Sequence, residues 1–249
     1  MSISDDGLRS RQQQLAGDLR ALILSGDIAA GERLPSTAEL RERYGVNNMT
    51  VTRAVAILKA EGLVEGHRGK SVVATGRLPA TIRAMHAPPM RSRGRRASTE
   101  LIEVGEGPAP ARVAEVFGLA VGDPVLVRSQ LASLDGEPAE LVWNYYPTSI
   151  ARDTELTAPR LLAGGSPAVL AALGHRVVRA VDHVSVRPAT VAEFVTLGLP
   201  GDVPVLRQFR VAYAEDGRAV EATVMIKSGQ RFEIRYDVPL TDQNDSRDS

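Results

Sequence analysis

The spacing of apolar residues predicts three helices in the first third of the chain. Leucine, isoleucine and valine recur every three or four positions over 11–25 and 48–61, and a third helix is predicted over 37–44. Each stretch is followed directly by a glycine, the residue that most readily ends a helix. Ser36, with Glu39 three residues later, has the pattern of a capping box and predicts the start of the second helix.

A short hairpin is predicted after the third helix. The short strand candidates 63–64 and 71–73 flank a basic, glycine-containing segment at 66–70. Helices joined by a tight turn and followed by a basic hairpin are the arrangement of a winged helix-turn-helix, whose last helix enters the major groove of DNA. The alternative is a generic helical domain with a solvated polar face, and the basic hairpin favours the first interpretation.

The second half of the chain contains an internal repeat. Segments 110–119 and 188–197 share the pattern of a short helix, and each is followed by Gly-Asp, a Pro-Val-Leu strand start and an Asp-Gly hairpin. A glutamate follows four residues after each hairpin glycine, as Glu140 and Glu221. Two such units about eighty residues apart predict an α+β domain with an antiparallel sheet and pseudo-twofold symmetry.

These glutamates lie within apolar strand patterns, where a carboxylate needs a partner or water. Strand alternation places Glu140 on the face opposite Leu141 and together with Val142 and Asn144. One interpretation is an exposed face with surface glutamates. The other is a pair of acceptors that converge on a polar ligand.

Charge divides the chain into three parts. Residues 1–76 carry 10 basic and 9 acidic side chains, residues 77–98 carry 6 arginines and no acid, and residues 99–249 carry 14 basic and 21 acidic side chains. Prolines and the arginine run at 91–96 make 77–98 a predicted linker, either solvated or lying along a DNA backbone. Both roles are compatible.

Composition excludes several classes of protein. The chain has no cysteine, which rules out disulfide scaffolds, iron–sulfur clusters and thiol nucleophiles. Aromatic residues make up only 4%, too few for base-stacking platforms. No leader and no long apolar run are present, so we expect a cytoplasmic protein without a membrane partner.

No motif for catalysis, metal or cofactor binding stands out. The 4 histidines are scattered, and neither a zinc-protease motif, a phosphate loop nor a dinucleotide fingerprint occurs. Asp182-His183 is the best pair for acid–base work, and a satisfied strand pair is the simpler interpretation. We therefore predict no cofactor, no metal and no enzymatic activity.

Residues 11–75 closely resemble the GntR family of bacterial transcription regulators. The residues that carry the resemblance are Gly26, Gly31 to Ser36, Glu39, Leu40, Tyr44 to Val46, Thr50, Val51, Arg53, Ala54, Leu58, Glu61 to Val64 and Arg68 to Lys70. The resemblance implies DNA contacts at the start of the second helix, along the start of the third, and at the hairpin tip. The predicted DNA-binding residues are Ser36, Thr37, Asn47, Asn48, Thr50, Thr52, Arg53, His67, Arg68, Gly69 and Lys70.

Three positions depart from the family pattern. Ala38, Asn48 and Thr52 stand where arginine is common. Because arginine paired with guanine is the commonest specific base contact, these changes predict an operator different from the usual family sequence. Asn48 is suited to adenine, and Arg53 to a phosphate or a guanine.

Residues 95–240 resemble the UTRA effector-binding domain of the HutC-type branch, whose fold is similar to chorismate lyase. The resemblance rests on Val125 to Arg128, Asp135 to Pro138, Glu140, Tyr146, Pro147, Val220, Glu221 and Lys227 to Phe232. It implies an effector pocket lined by Arg128, Glu140, Ser166 and Glu221. Ser166 also begins a predicted helix, and helix N-termini favour anions.

Departures in this half weaken the expectation of a sugar-phosphate ligand. Gln130 stands where a second arginine is common, Ala168 where an aromatic residue is common, and Gln230 where an acid is frequent. A neutral or singly charged effector is equally compatible with these residues. A regulator of plasmid or mobile-element transfer without any effector is a further alternative.

The sequence thus predicts a two-domain repressor that binds a palindromic DNA operator as a homodimer and responds to a small-molecule effector. A lyase-like enzyme is the remaining alternative. The predicted divisions are a disordered N-terminus at 1–10, a winged helix-turn-helix at 11–76, the linker at 77–98, an effector-binding and dimerisation domain at 99–240, and a disordered tail at 241–249.

Overall fold

The structure is a computed structural model, which describes residues 10–66, 71–76, 80–83, 96–201 and 203–235. The chain divides into two compact units. One contains residues 1–79 with the short segment 199–203, and the other contains residues 80–198 and 204–249. The tail 241–249 and nearly all of the N-terminus predicted to be disordered lie outside the described residues.

The N-terminal unit contains three helices and a small antiparallel hairpin. Its elements are α1 Arg11–Ser25, α2 Thr37–Tyr44, α3 Asn48–Ala60, β1 Val64–Glu65 and β2 Val73–Ala74. The predicted helices agree with these bounds to within one residue. Local chemistry explains the agreement: Gly26 and Gly45 adopt left-handed backbone conformations, and Ser36 and Glu39 form the expected capping box.

One apolar core and one buried ion pair hold this unit together. The fully buried side chains come from all three helices and include Leu15, Leu19, Leu40, Val51 and Leu58. Arg20 on α1 binds Glu61, just after α3, with two hydrogen bonds of 2.8 and 2.5 Å. This pair links α1 to the end of α3, and loss of the cation would leave a buried carboxylate without a partner.

The C-terminal unit is built on a six-stranded antiparallel sheet with the order β4-β5-β6-β9-β8-β7. The strands of this sheet are β4 Ala97–Pro108, β5 Pro124–Leu134, β6 Glu137–Pro147, β7 Val177–Arg187, β8 Val205–Ala214 and β9 Ala219–Ser228. Two further strands, β3 Ala80–Arg83 and β10 Phe232–Arg235, form a separate two-stranded sheet. Its helices are α4 Ala111–Phe117, α5 Thr148–Ala151, α6 Gly165–Ala172 and α7 Val191–Thr196, with a 3-10 turn at Glu155–Thr157.

The strand order confirms the pseudo-twofold arrangement predicted from the repeat. Each repeat contributes an edge strand, a helix and a hairpin, and the two copies meet where β6 pairs with β9. The first hairpin turns at Asp135, whose positive φ of 54° precedes Gly136 at 82°. Asp-Gly is the pair that best tolerates this backbone geometry in a two-residue turn.

The predicted linker is wrong at both of its described ends. Residues 80–83 form β3, which pairs in parallel with β10, and β4 already begins at Ala97. The partner of β3 lies about 150 residues later in the chain, so local composition could not reveal it. The remaining linker residues 84–95, with most of the arginine run, lie outside the described residues.

Strand register separates the sheet into two different faces. One face is apolar and packs Val125, Phe209, Val211 and Ala222 against Val113 of α4. The other is polar: Arg128, Asn144, Thr223, Arg210 and Asp182 stand in one row across five strands. Of the predicted effector residues, Arg128, Glu140 and Glu221 lie on this polar face, whereas Ser166 lies on α6.

Candidate functional site

Two helix N-termini present polar groups on the surface of the N-terminal unit. Ser36 and Thr37 are exposed at the start of α2. Asn47 caps α3, and its side-chain oxygen accepts hydrogen bonds from the Thr50 amide at 2.9 Å and the Thr50 hydroxyl at 3.0 Å. Unpaired amides in the first turn of each helix make these ends favourable for phosphate oxygens.

The start of α3 exposes polar and charged side chains on one side of the helix. Asn48, Thr52 and Arg53 are exposed, whereas Val51 and Ala54 are buried on the opposite side. The Thr52 hydroxyl donates a hydrogen bond to the backbone carbonyl of Asn48 at 2.9 Å, so this contact does not involve the Asn48 side-chain amide. The hairpin residues His67, Arg68, Gly69 and Lys70 lie outside the described residues.

A buried carboxylate forms the centre of the first polar cluster of the sheet. Glu221 accepts hydrogen bonds from Asn144 at 2.7 Å, Tyr146 at 2.9 Å and Ser166 at 2.8 Å. Burial raises the pKa of Glu221, and the three donors oppose that rise by stabilising the charged form. Burial also raises the pKa of Tyr146 well above its usual value, so the phenol remains a donor.

Arg128 fixes the segment that covers this cluster. Its fully buried guanidinium donates to the carbonyls of Leu156 at 2.6 Å, Ala158 at 2.9 Å and Arg160 at 2.5 Å. Burial lowers its pKa from the usual value, yet arginine remains charged. Within the described residues its Nε has no hydrogen-bond partner.

A second buried cluster surrounds the other predicted glutamate. Lys227 lies 2.6 Å from the carboxylate of Glu140 and donates to Gln208 at 3.1 Å. The three side chains are buried, so the ion pair is shielded from water. Gln230 lies in the turn after β9, and its buried amide nitrogen has no partner among the described residues.

The two glutamates share a face but do not converge on one point. Glu140 pairs across the sheet with Lys227, which lies six residues along β9 from Glu221. At about 3.3 Å per residue the two positions are roughly 20 Å apart. Neither interpretation of the sequence is therefore correct: both glutamates are buried, and pseudo-twofold symmetry places them on opposite sides of the axis, so it separates them.

The repeat instead gives each glutamate a partner from the other copy. Glu140 binds Lys227 of the second copy, and Glu221 binds Tyr146 of the first. Sequence reasoning did not assign Tyr146, Lys227 or Asn144 to the site. The signal was present, because Tyr146 and Lys227 each lie six residues after the glutamate of their own repeat.

A separate cavity of about 270 Å³ opens beside α6. It is lined by Asp153, Thr154, Glu155 and the apolar side of α6, and by none of the four predicted effector residues. Over the described parts of the chain, no group of three or more histidine, aspartate or glutamate side chains is arranged to hold a metal ion. None of the helices there is long and apolar enough to cross a membrane.

Two family models match the chain. Residues 11–73 match the bacterial regulatory proteins of the gntR family, and residues 92–233 match the UTRA domain. These ranges contain the exposed start of α3 and both buried polar clusters, respectively.

Individual relatives agree with this division. The transcriptional regulator Rv0792c of Mycobacterium tuberculosis is 27% identical over 92% of this chain and 86% of its own length. The transcriptional repressor NagR of Bacillus subtilis is 22% identical over 88% of this chain and 90% of its own. The crystal structure of PhnF from Mycobacterium smegmatis shares the fold, with a TM-score of 0.58 at 23% identity over 91% of this chain and all of that one.

The two matched domains and the regulators that resemble the chain along most of its length lead to one class of protein. The chain is a transcriptional regulator and not an enzyme, and it belongs to the gntR family of bacterial regulators, in the group that carries a UTRA domain.

Proposed function

We propose that this regulator is a repressor that binds a palindromic operator as a homodimer, and that a small molecule bound in the C-terminal unit changes its affinity for DNA. The observation that carries the proposal is the pairing of an exposed, polar start of α3 with a buried polar cluster around Glu221. Relatives named as repressors, such as NagR of Bacillus subtilis, support repression over activation.

In this proposal α3 reads the operator from the major groove. Asn48 recognises adenine and Arg53 contacts a guanine or a phosphate. Ser36, Thr37, Asn47, Thr50 and Thr52 position the helix on the backbone, and His67, Arg68, Gly69 and Lys70 contact the adjacent groove. A twofold dimer places two such helices on the two half-sites of a palindrome.

The effector binds at the cluster of Ser166 and Glu221, with Asn144 and Tyr146 as additional contacts. Glu221 now accepts three hydrogen bonds from the protein, so a ligand with hydroxyl or amine donors replaces them with little loss. A buried carboxylate repels a doubly charged phosphate, which favours a neutral or cationic ligand. Glu140 lies about 20 Å away, so its part in the effector response is through the second cluster, which it forms with Lys227 and Gln208.

Arg128 connects this site to the chain that covers it. Because its guanidinium holds the carbonyls at 156–160, a ligand that displaces this segment also changes the packing of α6. Such a ligand shifts the protein between two arrangements by its difference in affinity for them. DNA affinity then depends on which arrangement the effector stabilises.

Binding to DNA tests the first half of the proposal. Fluorescence anisotropy is measured with labelled DNA from the protein's own promoter region and with a scrambled duplex, at several salt concentrations. We expect tight binding to one palindrome and a weaker, steeply salt-dependent affinity for the scrambled duplex. Equal affinity for both duplexes would contradict sequence-specific recognition by α3.

A pair of matched variants tests the effector half. Metabolite fractions or a small-molecule library are screened for release of the operator complex by the wild-type protein. A compound that releases it should have no effect on Glu221→Gln, whereas Val121→Lys, on the exposed turn before β5, should respond normally. Loss of response in the control, or normal response in Glu221→Gln, would place the site elsewhere.

A further inference from the structure

Two arginines cover one buried aromatic ring on the apolar face of the sheet. The Phe209 side chain on β8 is fully buried. Arg112 of α4 and Arg207 of β8 place their guanidinium carbons 5.1 and 5.6 Å from the centroid of that ring. A guanidinium that lies against a ring is attracted to the face of the ring and keeps its N–H donors at its own edge. Among the residues that the structure describes, neither guanidinium has a hydrogen bond or an ion pair.

The charges around Arg207 are not balanced. Arg207 is half-buried, and burial, followed by repulsion from Arg112 and Arg187, lowers its pKa, although an arginine remains charged. The carboxylate that acts on this group is Glu193, which already receives two hydrogen bonds from Arg187 at 2.7 and 2.6 Å. Three arginines therefore share one carboxylate, which leaves two positive charges without a counter-ion in the described part of the chain.

The fold itself does not require these two arginines. In the internal repeat, Arg112 corresponds to Thr190 and Arg207 corresponds to Val127. The equivalent helix and the equivalent strand thus form with uncharged side chains at these positions. The surrounding unit is acidic, since residues 99–249 carry 14 basic and 21 acidic side chains. Two uncompensated arginines in an acidic unit indicate a ligand that needs positive charge.

We infer that Arg112 and Arg207 bind a phosphate group, either free phosphate or that of a small phosphate monoester. A phosphate monoester carries about 1.5–2 negative charges at neutral pH, which matches the two unbalanced arginines. Its tetrahedral oxygens accept hydrogen bonds from groups on two different elements, and arginine forms paired hydrogen bonds to phosphate. A nucleic acid is the less suitable source of phosphate, because the net negative charge of this unit repels a polyanion more strongly than a small dianion.

This site is separate from the cluster around Glu221. Phe209 and Arg207 lie on the face of the sheet that packs against α4, whereas Glu221 lies on the polar face. The inference therefore does not depend on an effector at Glu221, and Glu221→Gln should bind phosphate as the wild type does.

The fluorescence of Trp143 reports binding at this site. Trp143 pairs with Val224, which pairs in turn with Phe209, so the tryptophan lies on the same face two strands, or about 10 Å, away. The full-length protein is titrated with inorganic phosphate and with glycerol 3-phosphate, while sodium chloride keeps the ionic strength constant. We expect a saturable change in fluorescence with both compounds. Tighter binding of glycerol 3-phosphate would identify a monoester as the ligand, and equal binding would mean that the phosphate group alone is recognised.

Loss of either arginine should weaken binding. Arg112→Gln and Arg207→Gln each remove charge-assisted hydrogen bonds and should raise the phosphate dissociation constant at least about 10-fold. Arg176→Gln is the matched control, because Arg176 is an exposed arginine of the same unit that lies 3.6 Å from Glu215. It removes the same charge and should leave the dissociation constant unchanged.

Thermal unfolding supplies a second measurement. Without phosphate, Arg112→Gln should have a melting temperature equal to or above that of the wild type, because one of the repelling charges is removed. Saturating phosphate should raise the melting temperature of the wild type above that of the variant, since a ligand that binds the folded state stabilises it. Arg112 is exposed, so this comparison stands even if Arg207→Gln does not fold.

Several results would overturn the inference. If neither fluorescence nor melting temperature responds to the phosphate compounds, the two arginines only cover Phe209. A phosphate response that is unchanged in both glutamine variants would place the site elsewhere. Tighter binding of succinate than of phosphate would mean that the ligand is a dicarboxylate. Weaker operator binding by Arg112→Gln in phosphate-free buffer would assign this arginine to the DNA backbone instead.

Discussion

Replacing Arg128 by methionine should lower the free energy of unfolding of the C-terminal unit more than a substitution on its surface does. The substitution keeps much of the side-chain volume but removes the donors to three carbonyls. A hydrogen bond from a charged group contributes about 1.5–3 kcal/mol, and relief of the buried charge offsets part of the sum. We expect a net loss of about 3–5 kcal/mol in the free energy of unfolding.

The single tryptophan makes this measurement specific to one unit. Trp143 lies on β6, so its fluorescence during urea unfolding reports the C-terminal unit. Hydrogen exchange of the amides at 155–161 reports the covering segment directly. Arg160→Met is the control: the Arg160 side chain forms an exposed ion pair with Glu155, its carbonyl is kept in the variant, and the substitution should cost at most about 1 kcal/mol.

The reasoning would be refuted by a stable Arg128→Met protein. If its free energy of unfolding stays within about 1 kcal/mol of the wild type and the amides at 155–161 keep their protection, the three carbonyl contacts contribute little. Arg128 would then be available for an effector. Arg128→Lys should be intermediate, because an ammonium group is a compact charge and cannot span all three carbonyls.

Three further predictions concern other residues. Asn48→Ala and Arg53→Ala should each weaken specific operator binding by about 1–3 kcal/mol without lowering the melting temperature; a lowered melting temperature would make these side chains structural. Because the folded-state pKa of Glu221 is raised, its stabilising contribution is present below its unfolded-state pKa and is lost as pH rises through the raised value. Wild-type protein should therefore gain stability relative to Glu221→Gln as pH falls from neutral toward 4.5, the ordinary pKa of a glutamate, and the opposite slope in urea unfolding would contradict the direction of the shift. Arg20→Met leaves Glu61 buried without its cation and should cost about 3–5 kcal/mol, measured by hydrogen exchange of α1 and α3; unchanged exchange would show that the pair is dispensable.

Residues close together in the sequence account for what could be predicted. The helices of the N-terminal unit follow from apolar spacing, a capping box and terminal glycines, all of which act within one or two turns. The pseudo-twofold symmetry of the sheet was also predictable, because the repeat at 110–119 and 188–197 predicted two copies of one helix–strand–strand unit. These features depend on contacts between near neighbours or on an internal copy, and both can be read from the sequence.

Long-range pairing decided the rest. The register between β6 and β9 placed Glu140 beside Lys227 and Glu221 beside Tyr146, and this register is set by packing of whole strands. The partner of β3 likewise lies at the other end of the chain. A local sequence pattern does not show which residues will be neighbours across a sheet, because those residues are far apart in the chain.

The two copies of the helix repeat show this difference most clearly. The sequence determined that 110–119 and 188–197 each form a short helix with one apolar side. Only the tertiary structure decided which side is buried, because Arg187 draws Glu193 inward in the second copy and turns Val191 toward the surface. Helix formation depends on local hydrogen bonds, whereas helix orientation depends on what the surrounding fold offers as a partner.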